Sequence, residues 1–290
     1  MKIDNLTSPS QVKSWCIENG FHPNRTLGQN FLVDRNALDA IIDGADIVAG
    51  MRVLEIGPGL GVLTGAMIER GAAVTAVEKD KRLAVRLHEA LGAPDALEVL
   101  EADALKLDLD EFLSVGYDAC VSNLPYSVGT RILIDLALHK SSPKAIVVLV
   151  QREVADRLVA DACQPARGQA GVWLQLDYKV RVIRHVGAAC FWPRPEIGST
   201  IVRLDKVRSE LSEVERESFF DLTRYAFMHR RKQIGASLRK AVAGLERSDS
   251  EITVILSRAG IEPRTRAEQI SNAGWQALAI EYAKGSRCAP

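Results

Sequence analysis

The feature that most restricts this chain is an alternation that starts at Met51. Short apolar runs at 51–56, 73–77, 97–100, 117–122 and 145–150 are separated by segments with helical spacing. The segment 81–91, for example, carries Leu83, Leu87 and Leu91 on one face, and the others cover 63–70, 132–138 and 152–160. Strands joined by crossovers of helical length lie parallel, with helices on both faces of the sheet. The runs are apolar throughout, as strands buried on both sides must be. Two later runs, 174–186 and 200–204, have no long helix between them, so they are expected to pair antiparallel at one edge. The expectation is an α/β fold with a mostly parallel seven-stranded sheet and one antiparallel edge strand.

The flanks read differently. In residues 1–50, Ser10 is placed to cap a helix carrying Val12, Trp15 and Cys16 that ends near Gly20. Residues 25–34 read as a loop, and Leu38, Ile41 and Ile42 mark a second helix. Beyond residue 207 the strand signal stops, and 213–231, 234–243, 251–259 and 267–283 read as helices. The expected domains are 1–206, with a helical arm at 1–50, and a small helical domain at 207–290. The latter holds 14 Lys and Arg against 11 Asp and Glu, a net +3 that leaves −3 on residues 1–206. Its cations gather at His229-Arg230-Arg231-Lys232 and at Arg258, Arg264 and Arg266. A solvated helix face is the plain account of such clusters; a nucleic-acid contact is the other.

Overall charge is balanced at 37 basic and 37 acidic residues, which excludes a uniformly cationic coat but not a local basic face. The 47% apolar content excludes disordered and collagen-like classes. The five cysteines, Cys16, Cys120, Cys163, Cys190 and Cys288, form no CxxC pair and no zinc spacing, so no metal is expected. No signal-peptide layout opens the chain, and the longest apolar run is too short for a bilayer. A cytoplasmic, membrane-free protein is expected.

The chemistry is concentrated at strand ends. Glu55-Ile-Gly-Pro-Gly-Leu-Gly61 follows the first strand and opens a helix, and Gly57 and Gly59 let the backbone turn tightly and approach a ligand. Glu78, 21 residues after Gly57, closes the second strand, where a carboxylate can bind the two hydroxyls of a ribose. Asp103 closes the third, within reach of an adenine amino group. A purely structural turn is the competing account of a lone glycine loop. An NAD site lacks support, because the spacing is GxGxG and no G-x-G-x-x-G is present. The three features together resemble a Rossmann-like class I methyltransferase that uses S-adenosylmethionine.

Asn123-Leu124-Pro125-Tyr126 follows the fourth strand. Alone it is an ordinary turn sequence. Beside a donor loop it suits methylation of an exocyclic amine, whose lone pair is delocalised into the base. The Asn123 side-chain oxygen and a backbone carbonyl near Leu124 or Pro125 can accept the two amino hydrogens. The nitrogen is thereby drawn toward tetrahedral geometry, with its lone pair aimed at the donor methyl. Pro125 fixes the backbone and Tyr126 can stack on the base. Catalysis is then a matter of positioning, after the base has been turned out of its stack.

With these residues in view, the chain resembles the small-subunit ribosomal RNA adenine N6,N6-dimethyltransferases from about Leu27 to its C-terminus. The resemblance rests on LGQNFL (27–32), EIGPGLG (55–61), Glu78, Asp103, NLPYSVGT (123–130), QREVADR (151–157), FWPRPEIGST (191–200) and HRRKQIGASL (229–238). It implies four methyl transfers from S-adenosylmethionine, two to each of two adjacent adenines in the hairpin loop near the 3′ end of 16S rRNA. It implies an immature 30S particle as substrate, no obligate protein partner and a monomer. It implies that Gln29, Asn30, Leu32, Gly57, Gly59, Glu78, Asp103 and Asn123 meet the donor. Asn123, Leu124, Pro125 and Tyr126 would form the catalytic turn, with Phe191 on the other face of the adenine. Arg230, Arg231 and Lys232 would grip RNA. Three other readings stand beside it: a large-subunit (23S) rRNA adenine methyltransferase, an RNA-binding assembly or transcription protein without catalysis, and a small-molecule methyltransferase.

Overall fold

The computed structural model describes residues 6–24, 28–92, 94–207, 209–238 and 247–286. Leu27 of the LGQNFL motif, Arg25 before it, residues 239–243 of the helix expected at 234–243, and Cys288 lie outside the described residues.

The chain opens with α1 (Pro9–Glu18), β1 (Phe31–Leu32) and α2 (Arg35–Gly44). Three strand–helix pairs follow: β2 (Arg52–Ile56) and α3 (Val62–Glu69), β3 (Ala73–Glu78) and α4 (Lys81–Ala90), β4 (Leu97–Glu101) and α5 (Leu109–Leu113). Next come β5 (Ala119–Asn123), α6 (Gly129–Leu138), β6 (Ala145–Gln151), α7 (Arg152–Val159) and α8 (Gln169–Asp177). Three further strands follow, β7 (Tyr178–Val186), β8 (Phe191–Trp192) and β9 (Ser199–Lys206), of which β7 and β9 complete the main sheet. Among the described residues the chain closes with the helices α9 (Glu213–Met228), α10 (Ile234–Ser237), α11 (Asp249–Arg258) and α12 (Asn272–Ser286).

Seven strands form one sheet in the order β4-β3-β2-β5-β6-β9-β7. The pairs β2–β3, β2–β5, β3–β4 and β5–β6 are parallel, and β6–β9 is antiparallel. The reversed strand therefore sits one place in from the edge, which β7 occupies. Reversal of strand order between β2 and β5 opens a crevice at the carboxyl ends of the parallel strands, the place where open α/β sheets bind ligands. Val53, Leu54, Val121, Val147 and Leu149 are fully buried, as central parallel strands require. Truncating Leu54 or Leu149 to alanine costs about 2–5 kcal/mol.

Two compact units emerge: described residues up to 155 together with 179–206, and 156–178 together with those from 207 onward. The helical unit thus takes in 156–178, which the sequence pattern groups with the sheet. The reason is side-chain burial. Val172 and Leu176 join Phe219, Leu222, Leu256, Trp275 and Tyr282 in one core. The Arg216 guanidinium grips both oxygens of Asp177 at 2.7 and 2.6 Å. Buried Arg167 donates to the carbonyls of Ala160 and Ile270 and to Asn272 Oδ1, binding the start of this unit to its end.

Several expected elements shift. Residues 174–177 end helix α8 and do not begin a strand; only from Tyr178 is the chain extended. Ser10 lies inside α1, which starts at Pro9 with Ser8 at its cap position. The expected loop at 25–34 contains β1, whose two residues pair antiparallel with β8 (Phe31↔Trp192, Leu32↔Phe191). The helix expected at 213–231 stops at Met228, so His229 to Lys232 form a turn. The long final helix is a 3-10 turn at Ala267–Gln269 and a separate α12.

Candidate active site

A cleft at the carboxyl ends of β2, β3, β4 and β5 encloses a cavity of about 180 Å³. Its wall brings together Gln29, Asn30, Leu32, Gly57, Gly59, Glu78, Asp103 and the whole Asn123–Tyr126 turn. Sequence separation exceeds 90 residues across this set, so the fold alone assembles it.

The glycine turn is shaped by close neighbours. Gly57 and Gly59 have φ of 70° and 59°, in the left-handed region that favours glycine. A side chain on Gly59 would press into the Phe31 ring at 3.1 Å, and one on Gly57 would meet Pro125 at 3.5 Å. The turn is thereby pressed against both the β1 segment and the Asn123–Tyr126 turn. Beneath it, Glu55 is 1% exposed and accepts a 2.6 Å bond from Thr64. Burial pushes its carboxyl up to about 8, against the opposing pull of Thr64.

The two acids at strand ends differ in setting. Glu78 is buried, and its oxygens accept the Gly59 N–H at 3.1 Å and the Asp80 N–H at 2.8 Å. Desolvation raises its pKa, while these backbone donors pull the other way. Asp103 faces the solvent side, pairs with Lys79 Nζ at 2.9 Å and accepts the Leu105 N–H at 3.1 Å. The Lys79 ammonium, followed by that N–H, holds the Asp103 carboxyl below its ordinary range. Aspartate 80, absent from the sequence reading, is a hub. It receives Gln29 Nε2 at 3.1 Å and a forked pair from Arg82 at 3.0 and 2.7 Å. Gln29 also accepts the Asn24 N–H at 2.7 Å, so both ends of its amide are engaged in fixing the wall of the cleft.

The Asn123–Tyr126 turn is set by its hydrogen bonds. Asn123 Nδ2 donates to the Asn30 carbonyl at 3.0 Å, which leaves Oδ1 as the acceptor face of the amide. The Pro125 carbonyl accepts the Gly129 N–H at 2.7 Å and the Val128 N–H at 3.2 Å, starting α6. No hydrogen bond to the Leu124 carbonyl occurs among the described residues. Of the two carbonyls that the sequence left open, Leu124 is the uncommitted one. Tyr126 is half-buried, and its hydroxyl lies 2.5 Å from Ser199 Oγ. Burial raises its pKa, so this phenol keeps its proton.

Two sets of residues lie elsewhere. Phe191 is 3% exposed, sits opposite Leu32 in the β1–β8 pair and is not part of the cleft wall. Its ring packs in the core with Leu32, and the structure does not bring it to the cleft wall beside Tyr126, where the sequence reading places it. Arg230, Arg231 and Lys232 are exposed, and their side chains have no ion pair or hydrogen bond among the described residues. Among cleft residues that the sequence reading missed, Glu55 was in plain sight inside the glycine motif. Lys79 and Leu105 carried no signal beyond their place next to Glu78 and Asp103.

Among the described residues no helix is long and apolar enough to cross a membrane. The profile of the family described as "Ribosomal RNA adenine dimethylase" matches residues 20–284. A protein named ribosomal RNA small subunit methyltransferase A from Alkaliphilus oremlandii is 35% identical over 287 residues, covering 97% of this chain and 99% of its own length. One of the same name from Bacillus mycoides is 34% identical over 275 residues, covering 93% and 94%. Among solved structures, a dimethyladenosine transferase from Plasmodium falciparum superposes with a TM-score of 0.75 at 23% identity, over 87% of this chain and 97% of that one. The 23S rRNA methyltransferase ErmE superposes at 0.66 with 25% identity, over 87% and 99%.

Proposed function

The chain belongs to the ribosomal RNA adenine dimethylase family, and from that premise we propose how its residues carry out the reaction and on which RNA. It is an S-adenosylmethionine-dependent rRNA adenine dimethyltransferase. We place its targets on N6 of two adjacent adenines in the 3′-terminal hairpin loop of 16S rRNA, within an immature 30S particle in the cytoplasm. The relatives named for the small subunit, at 34–35% identity over nearly the whole chain, support that choice of RNA over 23S.

The observation that carries the mechanism is the pair of acceptors at the catalytic turn: Asn123 Oδ1, left over after Nδ2 is spent on Asn30, and the uncommitted Leu124 carbonyl. They suit an amine with two hydrogens. Accepting both draws the adenine N6 out of conjugation, and its lone pair becomes available for attack. Tyr126 supplies the flat surface for the base, and its retained proton leaves it no part as a base catalyst. None is required, since the ammonium formed by transfer sheds its proton to water.

The donor fits the rest of the wall. Glu78, fixed by two backbone N–H groups, keeps lone pairs for a ribose diol. Asp103 can exchange its Lys79 partner for an adenine amine. Gln29, Asn30, Leu32, Gly57 and Gly59 line the remaining wall. When bound, S-adenosylmethionine supplies a methyl on a sulfonium, reactive toward a neutral nitrogen. Arg230, Arg231 and Lys232 of the helical unit would meet RNA phosphates, with no bonds inside the protein to give up.

Mass spectrometry of rRNA fragments from cells lacking this protein tests the reading. Loss of dimethyladenosine from the 16S 3′ hairpin alone is expected, and its return on expression of the chain. Loss at a 23S adenine would shift the assignment to the large subunit. An intact methylation pattern would leave a non-catalytic role.

A further inference from the structure

The FWPRPEIGST segment is a prominent stretch of the sequence, yet its Phe191 is buried away from the cleft. The same segment reaches the reaction by another residue. We propose that Ser199 is a positioning residue for methyl transfer, holding the Tyr126 ring in its working orientation through the hydroxyl–hydroxyl bond. This rests on the reading of Tyr126 as the surface that takes the adenine.

Ser199 is the first residue of β9 and is 1% exposed. Its backbone is fixed from two sides. On one, it lies opposite Gln151, the last residue of β6, and the neighbouring Gly198 carbonyl accepts the Arg152 N–H at 3.0 Å. On the other, Gly198 runs so close to β7 that a side chain there would sit 3.0 Å from the Val186 carbonyl, and His185 Nδ1 lies 2.9 Å from Thr200 Oγ1. A hydroxyl on so constrained a backbone is a fixed point. The Tyr126 hydroxyl reaches it at 2.5 Å from a turn whose own backbone meets Gly28, where a side chain would sit 3.1 Å from the Tyr126 nitrogen. The ring is thus held at both ends, by its backbone and by its hydroxyl. Stacking depends steeply on ring orientation, and a tyrosine in place of a phenylalanine gives the sheet a handle on that orientation.

A double-mutant cycle tests this. Single-turnover and steady-state methyl transfer to immature small subunits would be measured for Ser199→Ala, Tyr126→Phe and the pair, with Tyr126→Ala alongside. Each single variant should lower kcat about tenfold, on the scale of one buried hydrogen bond, with KM for the donor unchanged. The pair should be no worse than either alone. Losses that multiply to about a hundredfold, on the same scale, would mean that Ser199 acts on something other than Tyr126 and would overturn the proposal. So would wild-type kcat for Ser199→Ala while Tyr126→Ala is severely impaired. Full activity of Tyr126→Ala would instead remove the premise about the base surface, a distinct failure. Ser199→Ala deletes a single oxygen, and circular dichroism melting of each variant separates loss of fold from loss of orientation.

Discussion

The donor cleft and the basic turn after α9 treat charge in opposite ways. In the cleft every carboxylate that matters is already hydrogen-bonded: Glu55 by Thr64, Glu78 by two backbone N–H groups, Asp80 by Arg82 and Gln29, Asp103 by Lys79 and Leu105. In the turn, three cations stand exposed without protein partners among the described residues. The first arrangement stores orientation, which serves a reaction governed by angle and distance. The second stores nothing but net charge, which serves a polyanion met in many geometries. Mutations should therefore act steeply and on rate in the cleft, and gradually and with salt dependence in the turn.

The largest effect is expected at Asn123. Replacing it with alanine removes an acceptor needed only as the amine changes geometry, so kcat should fall by about 10²–10³ or more, the scale of losing one preorganised transition-state partner. Donor affinity, read by calorimetry with S-adenosylhomocysteine, should stay within about threefold, because the binding acids are untouched. A large loss of affinity together with rate would show that Asn123 serves donor binding first.

Reversing charge at Arg230, Arg231 and Lys232 comes next. RNA affinity should fall by about 10- to 100-fold at low salt, and the slope of log K against log salt should shrink by about 2–3. Turnover at saturating RNA should persist. An unchanged salt slope would reduce this turn to a solvated face and erase the contrast.

Glu55 offers a test through stability. Its folded pKa of about 8 lies above the ordinary value of 4.5. From 4.5 upward the unfolded chain gives up a proton that the folded chain keeps, so stability falls as pH rises, until the folded group ionises near 8. Glu55→Gln keeps an acceptor for Thr64 and removes the ionisation. Its melting temperature should gain on the natural protein steadily between about pH 5 and 8 and then level off. Parallel curves would mean that Glu55 is charged and solvated in the folded state.

The smallest effect is expected at Lys79, which is 58% exposed. Lys79→Met should change donor affinity by no more than about threefold, as an exposed ion pair contributes about 0–1 kcal/mol. A tenfold change would make Lys79 a recognition element in its own right.

How much of this was readable before the coordinates depends on distance along the chain. The glycine turn, Glu78, Asp103 and the Asn123 turn all follow strands whose apolar runs are local and continuous, and each appears where the pattern puts it. Helix α8 was misread because Val172, Trp173, Leu174 and Leu176 are apolar on several sides, which removes the periodicity that separates helix from strand. Its burial against α9 and α12 is set by residues far away. The β1–β8 pair is two residues long and joins positions about 160 apart, so no local pattern announces it. It also fixes where Phe191 lies, opposite Leu32, which no local pattern shows. The choice between the Leu124 and Pro125 carbonyls was likewise closed to the sequence, because it turns on where α6 begins.

The reversed direction of β9 has an evolutionary side. After Gln151 the chain passes through residues 156–178 of the helical unit, re-enters the sheet as the edge strand β7, and at Ser199 lies opposite Gln151 once more. A detour whose two ends are stitched together by a backbone ladder can lengthen, shorten or change its sequence without moving either end. Natural selection is free to retailor the helical part of that detour, while the reacting edge stays registered through the β6–β9 ladder.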